Sequence, residues 1–499
     1  MSEPRRTVVI GAGVGGLAAS IDLARSGVAV TLVERAETVG GKLRSLAPRG
    51  RPIDAGPTVF TMHHVFESLF ADAGSRLEDH LNLFPASLLS RHAWGHGSKV
   101  LDLHADVQRS MEAISEFAGS REARGFGEFL DRAGALHESL REPFMMAPRP
   151  SAAGLMRELN FAGMLAMWRT PPWLTLWRAL ATHFRDPRLR QLFARYSTYV
   201  GSSPLQAPAT LMLIAHVEQS GVWLVEGGMR RVAEALAMLA THCGAHLRLA
   251  NGVRRIEVRD GHIVGVYLED GDFIPADTVI FNGDTQALAD GMLGDDVHRA
   301  VKPRVRTDRA LSAVTWCIDA PTRGFDLAHH NVFFGEDYPR EFSDIFERRR
   351  ITDRPTIYLC AQDRGEASTP LQTGDPERLL ILVNAPADGD QTGVTEIELQ
   401  RLQRGVFDQL AANGLTVSRA PVDCAITRPQ DFERLFPATG GSLYGSANHG
   451  AFASFSRPNA RTRIRGLYLA GGSAHPGPGV PMATLSGRLA AAALLRDLG

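Results

Sequence analysis

The strongest constraint on the fold is a glycine-rich turn between an apolar strand and a helix at the start of the chain. Thr7 to Ile10 reads as a short strand, and Gly11-Ala12-Gly13-Val14-Gly15-Gly16 comes directly after it. Ala18 to Ser26 suits a helix stopped by Gly27, and Val28 to Val33 a second strand closed by Glu34. In this setting the G-x-G-x-x-G pattern needs its glycines for a tight turn, for close approach of backbone to a pyrophosphate, and for packing of helix on strand. The helix N-terminus adds free amides and the positive end of a dipole. Glu34, 18 residues past Gly16, stands where an acid accepts hydrogen bonds from ribose hydroxyls. The alternation predicts an α/β fold with a parallel, doubly wound, Rossmann-like unit.

The residues just past Glu34 favour FAD over a nicotinamide cofactor. Arg35 and then Gly40-Gly41-Lys42-Leu43-Arg44 give a second glycine pair with basic residues, suited to a loop folding back over the diphosphate. The C-terminus carries another cofactor-like loop. Gly466 to Ala470 reads as a strand, Gly471 to Gly479 as a glycine-rich loop, and Met482 to Leu498 as a helix. A helix dipole aimed at the N1–C2=O edge of a flavin favours its reduced, anionic form. Gly472 and Ser473 are therefore expected to meet the ribityl-diphosphate, and Val480, Pro481 and Met482 the isoalloxazine edge.

Length and composition bound the rest. At 499 residues two or three domains are expected. Mid-chain, Arg254–Arg259, Gly265–Glu269 and Thr278–Phe281 look like strands, with hairpin signals at Asp260-Gly261 and Asp270-Gly271. The nucleotide domain is thus expected to be assembled from residues 1–75, 226–300 and 441–499. Residues 76–225 would form a helical substrate or membrane-associating region, and 301–440 a mixed α+β substrate domain. Net charge is −1, which argues against a nucleic-acid partner. The four scattered cysteines form no CxxC, so neither a disulfide frame nor a zinc site is expected. The histidines lack ligand spacing, so no metal is expected, and no G-x-S-x-G elbow is present. No signal peptide is expected ahead of a strand that begins at Thr7. No apolar run reaches the roughly 18–20 residues needed to span a bilayer.

Together the motifs resemble bacterial phytoene-desaturase-type carotenoid desaturases. The likeness is carried by the N-terminal fingerprint and glycine pair, Asp54-Ala55-Gly56-Pro57-Thr58, Glu226-Gly227-Gly228-Met229, Leu327-Ala328-His329-His330-Asn331, and His475-Pro476-Gly477-Pro478-Gly479-Val480-Pro481. It spans essentially the whole chain in order. Overall, the chain looks most like the 1-hydroxycarotenoid 3,4-desaturases of purple photosynthetic bacteria. Two departures stand at the flavin loop: Gly471-Gly472-Ser473-Ala474 replaces the usual Gly-Ala-Gly-Thr, and Met482 replaces a small residue.

The resemblance implies a GR2-type flavoprotein domain binding FAD, with Gly56 among the cofactor contacts. It also implies an acyclic carotenoid substrate, O2 or a quinone as electron acceptor, and peripheral attachment to the cytoplasmic side of the inner, photosynthetic membrane. The reaction would take a hydride from a carbon beside a polyene and a proton from its neighbour. The proton acceptor is open: Asp131 matches the family's acid position but has Gly134 where an arginine is usual, and it reads more readily as a surface carboxylate. His475 titrates in a useful range, or is structural. Phytoene desaturation, a flavin amine oxidase and a non-catalytic escort of prenylated partners are the competing functions.

Residues 141–195 hold nine arginines against three acids, together with Trp168, Trp173, Trp177 and five methionines. Lipid interfaces favour that mixture, and so does a helical cap with a solvated basic face. A carotenoid substrate, which resides in the bilayer, tips the reading toward lipid. Pro171-Pro172 is expected to divide the segment into two helices.

Overall fold

The first strand lies in the middle of a five-stranded parallel sheet. In spatial order the strands are Leu467–Leu469, Thr278–Phe281, Arg6–Ile10, Ala29–Val33 and His246–Arg248. The computed structural model describes residues 5–95, 99–365, 372 and 374–498. One face of the sheet is covered by the helices Val14–Arg25, Arg230–His242 and Val480–Leu498, whose Leu17, Ile21, Leu236 and Leu494 are fully buried. The other face meets a three-stranded antiparallel sheet, Val253–Arg259, His262–Leu268 and Phe273–Pro275, through Val8, Val279 and Val266. The turn between the first two of these strands places Asp260 and Gly261 at φ of 50° and 76°, the pairing a two-residue hairpin needs. Because the strands are parallel, their carboxyl ends open together, which is where such sheets bind ligands.

The second layer is an eight-stranded, mostly antiparallel sheet built around the long strand Ser312–Gly324 and its partner Pro376–Ala385. Two of its strands, Leu88–Trp94 and Lys99–His104, come from residues 76–225, beside the helices expected there. Their side chains alternate poorly, with Ser90, Arg91 and His92 mid-strand, and the strand signal is weak until the sheet supplies partners. The rest of that region is helical: Ser120–Leu140, Ala152–Glu158, Phe161–Arg169, Leu176–His183 and Pro187–Ala194. Pro171 and Pro172 lie between the third and fourth of these helices, and the fourth is capped by Thr175. Among the described residues no helix is long and apolar enough to cross a membrane.

Candidate active site

At the carboxyl ends of the parallel strands the glycine turn opens onto a cavity of about 960 Å³. Gly11 sits at φ 98°, a conformation that a side chain would strain. At Gly15 a Cβ would lie 2.6 Å from the Asn282 amide and 2.9 Å from the Ala483 carbonyl, so this glycine lets three segments converge. Gly16 does not line the cavity; a Cβ there would overlap the Gly11 carbonyl within the turn. Glu34 does line it, and its two oxygens accept the amides of Ala12 at 2.7 Å and Ala36 at 2.9 Å. That fixes the carboxylate while leaving lone pairs for ribose hydroxyls.

The second glycine loop lies against the first. Gly40 donates to the Ala12 carbonyl at 2.8 Å, and a Cβ on Gly41 would stand 3.4 Å from Gly13 Cα. Lys42 lines the cavity and donates to the Leu443 carbonyl at 2.6 Å. Enclosure lowers its pKa to about 8; Asp284 opposes the shift, and Arg304 and Arg457 add to it. Gly56 allows its loop to cross Lys42, whose carbonyl a Cβ would strike. Arg35 is also on the wall, its guanidinium held by the carbonyls of Arg434 and Leu435.

Gly472, Ser473, Val480, Pro481 and Met482 close the far side, the last three forming the first turn of the C-terminal helix. Ser473 Oγ accepts the Thr285 amide at 3.1 Å and donates to the Gly283 carbonyl at 3.3 Å. Sequence reading missed Asn282 and Asp284 on this wall and Arg304 and Arg457 behind it. Asn282 donates to the Gly11 carbonyl at 3.1 Å, Asp284 and Arg304 form a buried ion pair at 3.0 Å, and Arg457 is buried with its guanidinium on the carbonyls of Tyr444, Ser446 and Gly472. The signal for Asn282 and Asp284 was their place directly after the strand Thr278–Phe281, beside the central strand. Lys42, Arg304 and Arg457 face the single carboxylate of Asp284 here, a positive surplus that suits an anionic diphosphate. The glycine cradle, Glu34, and Lys42 on the wall with Arg304 and Arg457 behind it fit a flavin dinucleotide.

Neither candidate proton acceptor reaches the cavity. Asp131 is exposed on the outer face of the helix Ser120–Leu140 and is not on the cavity wall. His475 is buried behind the wall with its ring edge-on to Phe144 at 5.2 Å. Burial lowers its pKa to about 4, with the backbones of Phe144 and Ala147 opposing, so the ring is neutral near pH 7. Its neighbour Pro476, not the imidazole, forms the wall.

Beyond the cofactor loops the cavity is apolar, with Leu140, Phe144, Leu155, Met167, Leu211 and Ile214 on one side. It extends to Met156 and Phe452, which are 58% and 62% exposed, so that end is a mouth. A polar cluster that includes a guanidinium interrupts this lining, with Arg195, Tyr199 and Glu218 all on the wall. Arg195 Nη1 donates to Tyr199 Oη at 3.2 Å, and Tyr199 and Tyr196 donate to Glu218 at 2.6 and 2.8 Å. Elsewhere the fold gathers His329, His330 and Cys360, with ligand-type atoms within 4.8 Å of one another, a cluster that linear spacing did not reveal. Burial raises the Cys360 thiol pKa far above neutrality, and His330 Nδ1 meets Tyr358 Oη at 2.8 Å.

Comparison with known proteins agrees with this geometry. Residues 14–495 match the family of flavin containing amine oxidoreductases. The hydroxyneurosporene desaturase of Rubrivivax gelatinosus is 50% identical, over 100% of this chain and 95% of its own length. That of Rhodobacter capsulatus is 45% identical, over 100% of this chain and 99% of its own. Among solved structures, putrescine oxidase bound to putrescine superposes with a TM-score of 0.60 at 15% identity, covering 99% of each chain. Cyclohexylamine oxidase from Brevibacterium oxydans gives 0.57 at 16%, again over 99% of each; at such identities the likeness speaks for the fold alone. The chain belongs to the flavin-containing amine oxidoreductase family, within its carotenoid desaturases.

Proposed function

We propose that the protein is an FAD-dependent desaturase that introduces a C=C bond into an acyclic carotenoid hydroxylated or methoxylated at C1. The observation that carries this reading is the single cavity running from the glycine loops to an apolar mouth, shaped for a long hydrocarbon next to a dinucleotide. Bound FAD would supply the hydride acceptor. Gly11, Gly13, Gly15 and Glu34 would hold its adenosine and diphosphate, Gly41, Lys42, Gly56, Gly472 and Ser473 its middle, and Val480 to Met482 the ring edge.

The chain's own residues bind and align the polyene, and the packed leucines, methionines and phenylalanines exclude water from the reacting carbons. With Asp131 outside and His475 behind the wall, no proton acceptor is assigned among these side chains. The mouth supports peripheral docking on the membrane that stores the substrate: Phe161, Trp168 and Trp173 are 79%, 78% and 77% exposed around it, among the exposed Arg149, Arg157 and Arg169.

The test is to load the purified protein with FAD and add liposomes containing either 1-hydroxyneurosporene or phytoene. A red-shifted product two hydrogens lighter, from the hydroxylated carotenoid only, is the expected result. Conversion of phytoene instead would replace the substrate assignment, and failure to hold flavin would overturn the reading as a whole.

A further inference from the structure

A cavity built for a hydrocarbon has little reason to enclose a guanidinium, yet Arg195 lines this one. Burial opposes its charge, but Tyr199, Glu218 and Tyr358 keep it protonated. It is braced rather than neutralised. Its one hydrogen bond among the described residues goes to Tyr199, which relays to Glu218, and its guanidinium lies over the rings of Tyr199 and Tyr358 at 5.2 and 5.4 Å. A guanidinium has five N–H donors, so most of its donor capacity remains for something in the cavity.

The location is as informative as the charge. Tyr358 Oη is 2.6 Å from Thr58 Oγ1, and Thr58 is two residues beyond Gly56 in the cofactor-side loop. Through Tyr358 and Thr58, Arg195 is thus tied to the cofactor-side loop of the cavity. In a carotenoid bearing oxygen on C1, that oxygen lies only roughly 3–5 Å from C3 and C4 by ordinary bond lengths. A group that recognises it while C3 and C4 react must therefore sit on the cofactor side of the cavity, the side to which Tyr358 and Thr58 tie Arg195.

We propose that Arg195, braced by Tyr199 and Glu218, donates a hydrogen bond to the C1 oxygen of the carotenoid and so positions the C3–C4 bond for desaturation. This rests on the desaturase reading above and deepens it. A guanidinium only donates, so an ether oxygen can receive its hydrogen bond as readily as an alcohol oxygen. Recognition by the Glu218 carboxylate would require the hydroxyl proton and reject the ether. Hydroxylated and methoxylated carotenoids are both ligands of the site, and the unsubstituted hydrocarbon is a poor one.

The experiment measures binding of 1-hydroxyneurosporene, 1-methoxyneurosporene and neurosporene to the FAD-loaded protein through the shift of the carotenoid absorption band. The oxygenated carotenoids are expected to bind about tenfold or more tightly than neurosporene, the scale of one charge-assisted hydrogen bond. Arg195→Met should bring the ratio close to one, and Arg195→Lys should restore part of it. If Arg195→Met does not retain flavin, Tyr199→Phe is the second variant, expected to lower the ratio several-fold. No preference in the parent protein, an unchanged ratio in a folded variant, or rejection of the methoxylated ligand would each overturn the proposal. Turnover is read separately. Preference for oxygenated carotenoids without product would remove the desaturase reading and leave this site; product from both kinds at equal affinity would do the reverse.

Discussion

Gly487 of the C-terminal helix rests directly on the carbonyl oxygen of Gly15 in the first helix, so that any side chain at Gly487 would overlap it. The contact joins the two ends of the chain and sets the depth at which the turn Val480 to Met482 meets the cavity. Gly487→Ala forces the helices apart. Overpacking of this kind typically costs about 1–3 kcal/mol. The variant should unfold at a lower temperature and lose flavin more readily, both measurable by thermal scans monitored through flavin fluorescence.

Glu34 joins the two halves of the nucleotide unit, because its carboxylate holds the amides of Ala12 in the glycine turn and Ala36 beyond the second strand. Glu34→Ala strands the amide of buried Ala12, frees that of exposed Ala36 to water and removes the acceptor for ribose. Leaving polar groups unsatisfied costs roughly 1–3 kcal/mol each where they are buried, so FAD affinity should fall by about tenfold or more. Equilibrium titration of the cofactor-free protein with FAD measures it, and an unchanged affinity would remove Glu34 from the site.

Lys42 gives the cofactor-free protein a pH dependence of definite sign. Its pKa is about 8 in the fold, lowered by enclosure from 10.5. Below pH 8 the folded and unfolded chains are both protonated there, and the fold carries the cost of an enclosed ammonium. Between about 8 and 10.5 the folded chain has released the proton and the unfolded chain retains it, so stability rises with pH across that window. Lys42→Met should flatten this rise. The difference between parent and variant in urea unfolding, measured across the window, isolates the contribution from other groups. An anionic diphosphate beside Lys42 favours the charged form, so adding FAD should move the window upward.

The legible parts of the molecule were those whose physics is local. The turn from Gly11 to Gly16, Glu34 and the Asp260-Gly261 hairpin are written in consecutive residues, because backbone conformation dictates them. The groups that lock the site, Asn282, Arg304 and Arg457, arrive from distant segments, and no spacing rule joins them. For Asp131 the motif context left chemistry and a surface carboxylate both open, because the rotation of its helix decides which face it occupies, and that depends on the packing of Phe126, Phe129 and Leu136 inward. Leu88–Trp94 was hidden for a related reason, since its polar residues become a strand only between two neighbours. The tryptophan-rich block was legible as a composition but not as a surface. Trp177, read together with the other two, stacks under Arg190 at 4.8 Å and packs toward Tyr338, leaving Trp168 and Trp173 as the exposed pair.

Those two tryptophans make the membrane proposal testable. Each directly follows a cavity-lining residue, Met167 or Pro172, and has more than three quarters of its surface in solvent, an exposure that a purely aqueous surface does not favour for so large an apolar ring. Insertion at headgroup depth would remove much of that surface from water, worth about 1–2 kcal/mol per ring. The double variant Trp168→Ser, Trp173→Ser should therefore co-sediment with liposomes about tenfold less well or worse, while binding FAD as before. Attraction of Arg149, Arg157 and Arg169 to anionic lipid should appear as a further loss of binding at raised ionic strength. Turnover of a detergent-dispersed carotenoid should survive in the variant and turnover from liposomes should not, because only the second route needs the protein to draw its substrate from a bilayer. Equal losses by both routes would place the two rings in the catalytic fold rather than at a lipid surface.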